Sequence, residues 1–200
     1  PAFLFGHSMG SFLSRTYIID YPQDKKGAIL CGTGQQSPII VAIGKKLAEK
    51  ECRKNGPRYR SKKLQNIAFG SYNKLFKPNR TDFDWLSRNE ANVDSYIADP
   101  LCGYVSSAGM FRDMMSGIKY ISKLTNLAMM NKNMPVLFIS GALDPVGDYG
   151  KGVLNAGVKF KTVGMKNVRV NLYKEDRHEI LNEVDKEKVF DDVLKWLGLW

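Results

Sequence analysis

Two hundred residues, 44% of them hydrophobic, suffice for one domain with a sizeable core and room for an inserted subdomain. No apolar run is long enough to cross a membrane, and the N-terminus lacks the basic-then-apolar layout of a signal peptide. The formal net charge of +10 is local: twelve Lys/Arg and two acids lie between Lys45 and Arg80, and the rest of the chain balances.

That basic stretch reads first as the solvated face of surface helices. A weak attraction to an anionic membrane surface is the second reading, and no nucleic-acid-binding motif accompanies the charge. Three widely spaced cysteines (Cys31, Cys52, Cys102) with no C-x-x-C pair argue against a disulfide framework or a zinc site and favour a reducing, cytoplasmic setting. Neither a metal nor another cofactor is expected.

In chain order, Ala2–Phe5 is a short apolar run ending at glycine, the pattern of a buried parallel strand. Met9–Tyr21 follows as a helix, with Phe12, Leu13, Tyr17 and Ile18 at core-facing spacing and Pro22 closing it. Gly27–Cys31 (GAILC) is a second strand, Pro135–Ser140 (PVLFIS) a third and Val168–Tyr173 (VRVNLY) a fourth. A helix around Tyr149–Thr162 joins the last two, and Lys186–Leu197 closes the chain with Val189, Val193, Leu194 and Leu197 on one face. Strands alternating with helices imply crossover units, a parallel sheet and an α/β fold.

Residues 35–133 break that rhythm and hold no convincing strand. Pro38–Arg53 is predicted as an amphipathic helix, with Ile39, Ile40, Ile43 and Leu47 opposed to Lys45, Lys46, Glu49 and Lys50. Further helical pieces fall near 61–69, 93–98, 108–118 and 119–127. The segment is too long for a loop and too helical for the sheet, so it reads as an insertion over the sheet's C-terminal edge. The division is therefore 1–34 core, 35–133 helical insertion and 134–200 core.

The sequence Gly6-His7-Ser8-Met9-Gly10 stands where the first strand gives way to the first helix. A serine on such a turn needs a strained backbone, and glycine on either side relieves collisions with the strand and helix. The helix N-terminus beneath it favours developing negative charge. A nucleophilic serine needs a base, and the chain has two histidines. His7 shares the tight turn, where its ring is expected to point away from the Ser8 hydroxyl. His178 follows the fourth strand, at the edge where open parallel sheets bind ligands, and is the candidate base. The orienting carboxylate belongs between them: Asp144, stiffened by Pro145, is preferred over Asp148.

The motifs GHSMGS, SGALDPVG and DRHEILNE, in that order, resemble those of the α/β-hydrolase superfamily, more narrowly its bacterial lysophospholipase and monoacylglycerol-lipase-like branch. The stretches Trp85–Arg88, Val93–Tyr96 and Asp99–Tyr104 are similar to the same branch. The resemblance implies Ser8 as nucleophile, Asp144 as acid, His178 as base and the Met9 amide as an oxyanion donor. It implies a helical lid and a serine hydrolase of carboxylic esters acting on a small ester or mono-acyl lipid. Met110, Phe111 and Met114, with Met115, cluster at helical spacing and are expected to line the acyl pocket.

The same resemblance makes these four strands the fifth to eighth of the family's sheet, a partial α/β-hydrolase comprising the C-terminal two-thirds. The loop that supplies the second oxyanion donor is then expected to lie outside the chain. Residues 2–5 become an exposed edge for pairing with another chain. The alternative reading is a catalytically incomplete relative that binds an acyl ligand or pairs through that edge.

Overall fold

Side-chain alternation along two fully buried strands sets the architecture. In β2 (Gly27–Cys31) and β3 (Val136–Gly141), Ala28, Leu30, Val136 and Phe138 point to one face, and Ile29, Cys31, Leu137 and Ile139 to the other. Both faces are therefore apolar, and both need helices over them. The computed structural model describes residues 2–200. It places β1 (Phe3–His7) and β4 (Val168–Tyr173) on either side of this pair, in a parallel sheet ordered β1-β2-β3-β4. Phe5 pairs with Ile29, Ile29 with Leu137, and Ile139 with Asn171, so the strand ends align.

On the first face, α1 (Met9–Asp20) supplies Ile18 and Ile19, and α7 (Lys151–Thr162) supplies Val153, Ala156 and Phe160. Phe160 meets Phe138 edge-on at 5.1 Å. On the second face, α8 (Lys186–Leu197) seats Val189 and Trp196 against Ile29, Leu137 and Tyr173. Trp196 lies edge-on to Phe3 at 5.7 Å.

Between β2 and β3 the chain forms α2 (Pro38–Asn55), α3 (Lys62–Phe69), α4 (Glu90–Ala98), α5 (Ala108–Ser122) and α6 (Leu124–Leu127), with a 3-10 turn at Tyr72–Phe76. Three of these helices begin on serine. The hydroxyls of Ser37, Ser61 and Ser107 accept from the amides of Ile40, Leu64 and Met110, satisfying donors that a helix start leaves free. Their mutual core is small: Ala48, Leu64, Ala108 and Phe111.

Several helix faces differ from those the periodicity predicts. In α2, Ile39, Ile40 and Ile43 are exposed, Ile39 at 72%, while Val41 and Ala48 are buried. The seam with α5 is made by Gly44, which faces Met115, and by Ala48, which packs with Ala108 and Phe111. In α1, Leu13 is exposed and the buried face carries Ser11, Ser14 and Arg15 beside Ile18 and Ile19. Close approach to β1 demands small side chains there: a Cβ on Gly6 would collide with the Ser14 hydroxyl. In α8, Leu194 is exposed and Trp196, absent from the predicted stripe, is buried.

Truncating Phe138 removes a fully buried ring that lies edge-on to Phe160 of α7. Phe138→Ala is expected to lower the unfolding free energy by ~3–5 kcal/mol, whereas Leu13→Ala should change it by less than ~0.5 kcal/mol. Urea denaturation of the two variants checks the difference.

Candidate active site

Ser8 has φ 54° and ψ −121°, outside the regions that non-glycine residues favour. It is held there because its amide donates to the Cys31 carbonyl at 2.9 Å while its own carbonyl accepts from Ser11, by amide (2.9 Å) and hydroxyl (2.6 Å). The strand thus stops and the helix starts within one residue, and the serine side chain stands at the turn. Gly6 is required by its contact with Ser14 and the Gly10 carbonyl. Gly10 differs from expectation: a Cβ there would meet nothing, because that side of α1 faces outward. The Met9 N–H opens the helix and has no protein acceptor among the described residues.

His178 and Asp144 reach this serine from the ends of β4 and β3. His178 Nε2 lies 2.9 Å from Ser8 Oγ, and His178 Nδ1 lies 2.9 Å from Asp144 Oδ2. With Nδ1–H donating to the carboxylate, Nε2 is free to accept the serine hydroxyl proton. Asp144 is fully buried. Its second oxygen accepts the Val146 amide at 2.8 Å, and Ser140 Oγ donates to Oδ2 at 3.3 Å. Asp148 is exposed, with a left-handed backbone (φ 50°), and takes no part. Burial alone would lower the His178 pKa; the charge and hydrogen bond of Asp144 overcome it and hold the ring above its ordinary 6.5.

His7 makes no hydrogen bond to the Ser8 hydroxyl among the described residues and packs instead against His178. Its Nε2 donates to the His178 carbonyl at 3.3 Å, and the two rings lie 4.8 Å apart. Burial, aided by the charge of His178, lowers the His7 pKa. Strand parity is the signal that could have found this: His7 shares a face with Phe3, the face that α8 and the histidine loop cover.

The histidine loop is fastened to the insertion. The His178 amide donates to Trp85 O (3.4 Å) and the Glu179 amide to Leu86 O (2.7 Å). Arg88 holds Asp176 and Asp185 at 2.5 Å each and the buried Glu183 at 3.3 Å. Burial and the neighbouring Asp185 and Glu183 push the Asp176 carboxyl up to about 6 despite Arg88.

Ser8, His7 and His178 open into a cavity of about 890 Å³ roofed by residues of the insertion. Its apolar wall begins at Trp85, 5.2 Å from the His178 ring, and continues through Phe69, Phe83, Leu86 and Tyr96. Met110, Phe111 and Met114 are not among its lining residues. Phe111 and Met114 belong to the packing between the insertion's own helices, and the α2–α5 seam claims that side of α5. The Trp85–Arg88 and Asp99–Tyr104 stretches, which carried the family resemblance but no assigned role, supply cavity lining instead.

A parallel sheet with helices on both faces and a serine at a strand–helix turn, hydrogen-bonded to a histidine and a buried carboxylate, has the architecture of an α/β-hydrolase. Residues 1–185 match the serine aminopeptidase S33 family, and the chain belongs to it. It is 27% identical over 202 residues to a monoglyceride lipase of Rattus norvegicus, covering 100% of this chain and 58% of that protein. Against a monoacylglycerol lipase of Mycolicibacterium smegmatis the identity is 25% over 203 residues, covering 98% and 62%. The fold superposes with a TM-score of 0.90 on a thermostable carboxyl esterase from Bacillus coagulans solved in complex with glycerol, at 24% identity, over 99% of this chain and 64% of that one. The chain thus spans about three-fifths of the length of the curated relatives it matches. Among the described residues no helix is long and apolar enough to cross a membrane.

A Cβ on Gly141, the last residue of β3, would strike the carbonyls of Asp176 and Arg177. Gly141→Ala is expected to destabilise the fold by more than ~3 kcal/mol and to shift the histidine loop. Thermal unfolding measures the first effect. The ring-nitrogen chemical shifts of His178 measure the second, and they should move away from those of an imidazole hydrogen-bonded to a carboxylate.

Proposed function

We propose that this chain carries the acyl-transfer machinery of a serine hydrolase of carboxylic esters, with mono-acyl lipids as its substrates. The observation that supports it most is the unbroken series Ser8 Oγ, His178 Nε2, His178 Nδ1, Asp144 Oδ2, with 2.9 Å at each hydrogen bond, at the base of a lined cavity. The relatives named for monoglyceride hydrolysis favour the lipid substrate.

In this mechanism Ser8 Oγ attacks the ester carbonyl carbon as its proton passes to His178 Nε2. Asp144 stabilises the imidazolium and keeps the ring's orientation. The carbonyl oxygen, now an oxyanion, is met by the Met9 amide at the positive end of α1. As the C–O bond breaks, His178 returns the proton to the departing alcohol. Water then enters: its proton goes to His178, its oxygen bonds the acyl carbon, and Ser8 leaves with the proton restored. The aromatic wall excludes bulk water from the acyl chain. The outer edge of β1 has no strand partner among the described residues, and a further strand pairing there would stiffen the turn that carries Ser8.

A fluorophosphonate probe is expected to label Ser8, and Ser8→Ala should abolish both labelling and p-nitrophenyl ester turnover. Activity that survives Ser8→Ala would remove the nucleophile from this scheme. The pH dependence follows from the raised His178 pKa. The base must be neutral, so kcat/KM should climb with pH through an inflection above 6.5. Asp144→Asn removes its charge and the charged hydrogen bond, the two larger of the three interactions that raise it, and leaves only the charge of Glu179. The inflection should then fall below that of the parent, with turnover down by roughly 10⁴-fold.

A further inference from the structure

We infer that Glu183 is a positioning residue for His178. Its buried carboxylate fixes the main chain of the base to the segment that carries Trp85, so that the base and the first wall of the cavity are held as one unit. The inference rests on the proposed ester-hydrolase reading and adds a residue to that same machinery.

The amide of His178 is not what holds the base in place. Its bond to the Trp85 carbonyl is 3.4 Å long, beyond the usual range of an N–H···O contact. Shorter bonds lie on either side of it. The Glu179 amide reaches Leu86 O at 2.7 Å, and the Arg177 amide donates to Glu183 Oε1 at 3.0 Å. The same carboxylate accepts the Arg88 amide, which lies 3.1 Å from each of its oxygens. Arg88 and Arg177 both lie outside helices and strands, so no backbone ladder satisfies these two donors. Glu183 thus receives one amide from the residue just before the base and one from the segment that places Trp85 5.2 Å from the His178 ring.

The surroundings of Glu183 suit a charge. It follows a 3-10 turn at Ile180–Asn182, its side chain is fully buried, and the Arg88 guanidinium lies 3.3 Å from Oε2. A buried carboxylate is unfavourable unless it is paired and hydrogen-bonded, and two amides with one guanidinium supply both conditions. Arg177 adds a return connection, donating from its guanidinium to the carbonyls of Asp84 and Ser87. The loop also approaches β3 closely at Gly141, where no side chain would fit. It is thus held against the sheet at Gly141 and against the insertion at Glu183. Reach and charge can be separated at this position. Oε1 accepts both amides, so a glutamine with its oxygen there keeps both bonds. It loses only the ion pair with Arg88, which retains Asp176 and Asp185 at 2.5 Å each. An aspartate keeps the charge but withdraws it by roughly 1.5 Å.

The test compares Glu183→Gln with Glu183→Asp, by p-nitrophenyl butyrate turnover and by NMR titration of the His178 ring. The glutamine variant is expected to keep kcat and KM within about three-fold of the parent. The aspartate variant should lose at least about ten-fold in kcat with KM within about three-fold, because a displaced base slows chemistry and leaves binding alone. The His178 ring is held above 6.5 by Asp144. Its titration should stay at the parent's position in the glutamine variant and move downward in the aspartate variant. Phe138→Ala, which loosens the core away from this junction, should change neither kcat nor the titration when assayed well below its unfolding temperature. In the parent, with no substitution at all, the Arg88 and Arg177 amides should exchange at least about 10³-fold more slowly than exposed loop amides. The reverse order of the two variants, parent-like behaviour in both, equal impairment in both, or fast exchange of the two amides would overturn the assignment. A parent that neither turns over the ester nor takes the fluorophosphonate on Ser8 would remove the hydrolase reading, and the ring titration and amide exchange would still judge the positioning of His178.

Discussion

The backbone of Ser8 is the constraint on which the rest depends. A φ of 54° in a residue with a side chain costs of order 1–3 kcal/mol, and it persists only where the surroundings over-determine it. They do so here from three directions. The Cys31 carbonyl holds the amide, Ser11 holds the carbonyl from inside α1, and Gly6 lets the helix settle against the strand it has just left. Because β1, β2, β3 and β4 are parallel and in register, the loop after each strand emerges at the same edge. A carboxylate after β3 and a histidine after β4 therefore arrive beside the serine although 34 and 170 residues separate His178 from them. Proximity is a property of the sheet; orientation is a property of the strained turn.

Two arginines connect the insertion to this frame in different ways. Arg88 is surrounded by carboxylates, and it binds the segment at 85–88 to the histidine loop through charge. Arg15 has no carboxylate. It is fully buried in α1, donating to the carbonyls of Gly34 and Ile121 and to the side chain of Gln35, and burial lowers its pKa to about 9. Gln35 and Ile121 lie at the two ends of the insertion's helical run, and Gln35 also reaches Ser122 at 2.7 Å. The helix that presents Ser8 thus grips both stems of the cover. The helical layer is small-cored within itself but fixed to the sheet at its stems and at the histidine loop.

The sheet and the serine–histidine–carboxylate set were legible because their signals are local. A run such as GAILC bounded by glycine has few other physical outcomes, and a chain with two histidines leaves little choice of base. Helix faces were less legible. Periodicity states that a helix has an apolar side but not which side meets a neighbour. In α2 the seam with α5 took Gly44 and Ala48 and left Ile39, Ile40 and Ile43 exposed. The same limit applies to α5, where periodicity groups Met110, Phe111 and Met114, yet none of the three is among the cavity's lining residues and Phe111 and Met114 pack among the helices. Trp85 was invisible to any periodic test, since it sits in an irregular turn whose position depends on backbone bonds to a loop more than ninety residues away.

Charge shows the same division between amount and place. The excess of basic residues between Lys45 and Arg80 is plain in the sequence, and its simplest reading is a solvated surface. For α2 that reading suffices, since Lys46, Lys50, Arg53 and Lys54 are exposed on a helix that does not line the cavity. In α3 Lys62 is equally exposed, yet it shares with Phe69 a helix face that lines the cavity into which Ser8 opens. Two stretches of one composition thus stand in different places, and the packing of Phe69 of α3 against Trp85 is what brings one of them to the cavity.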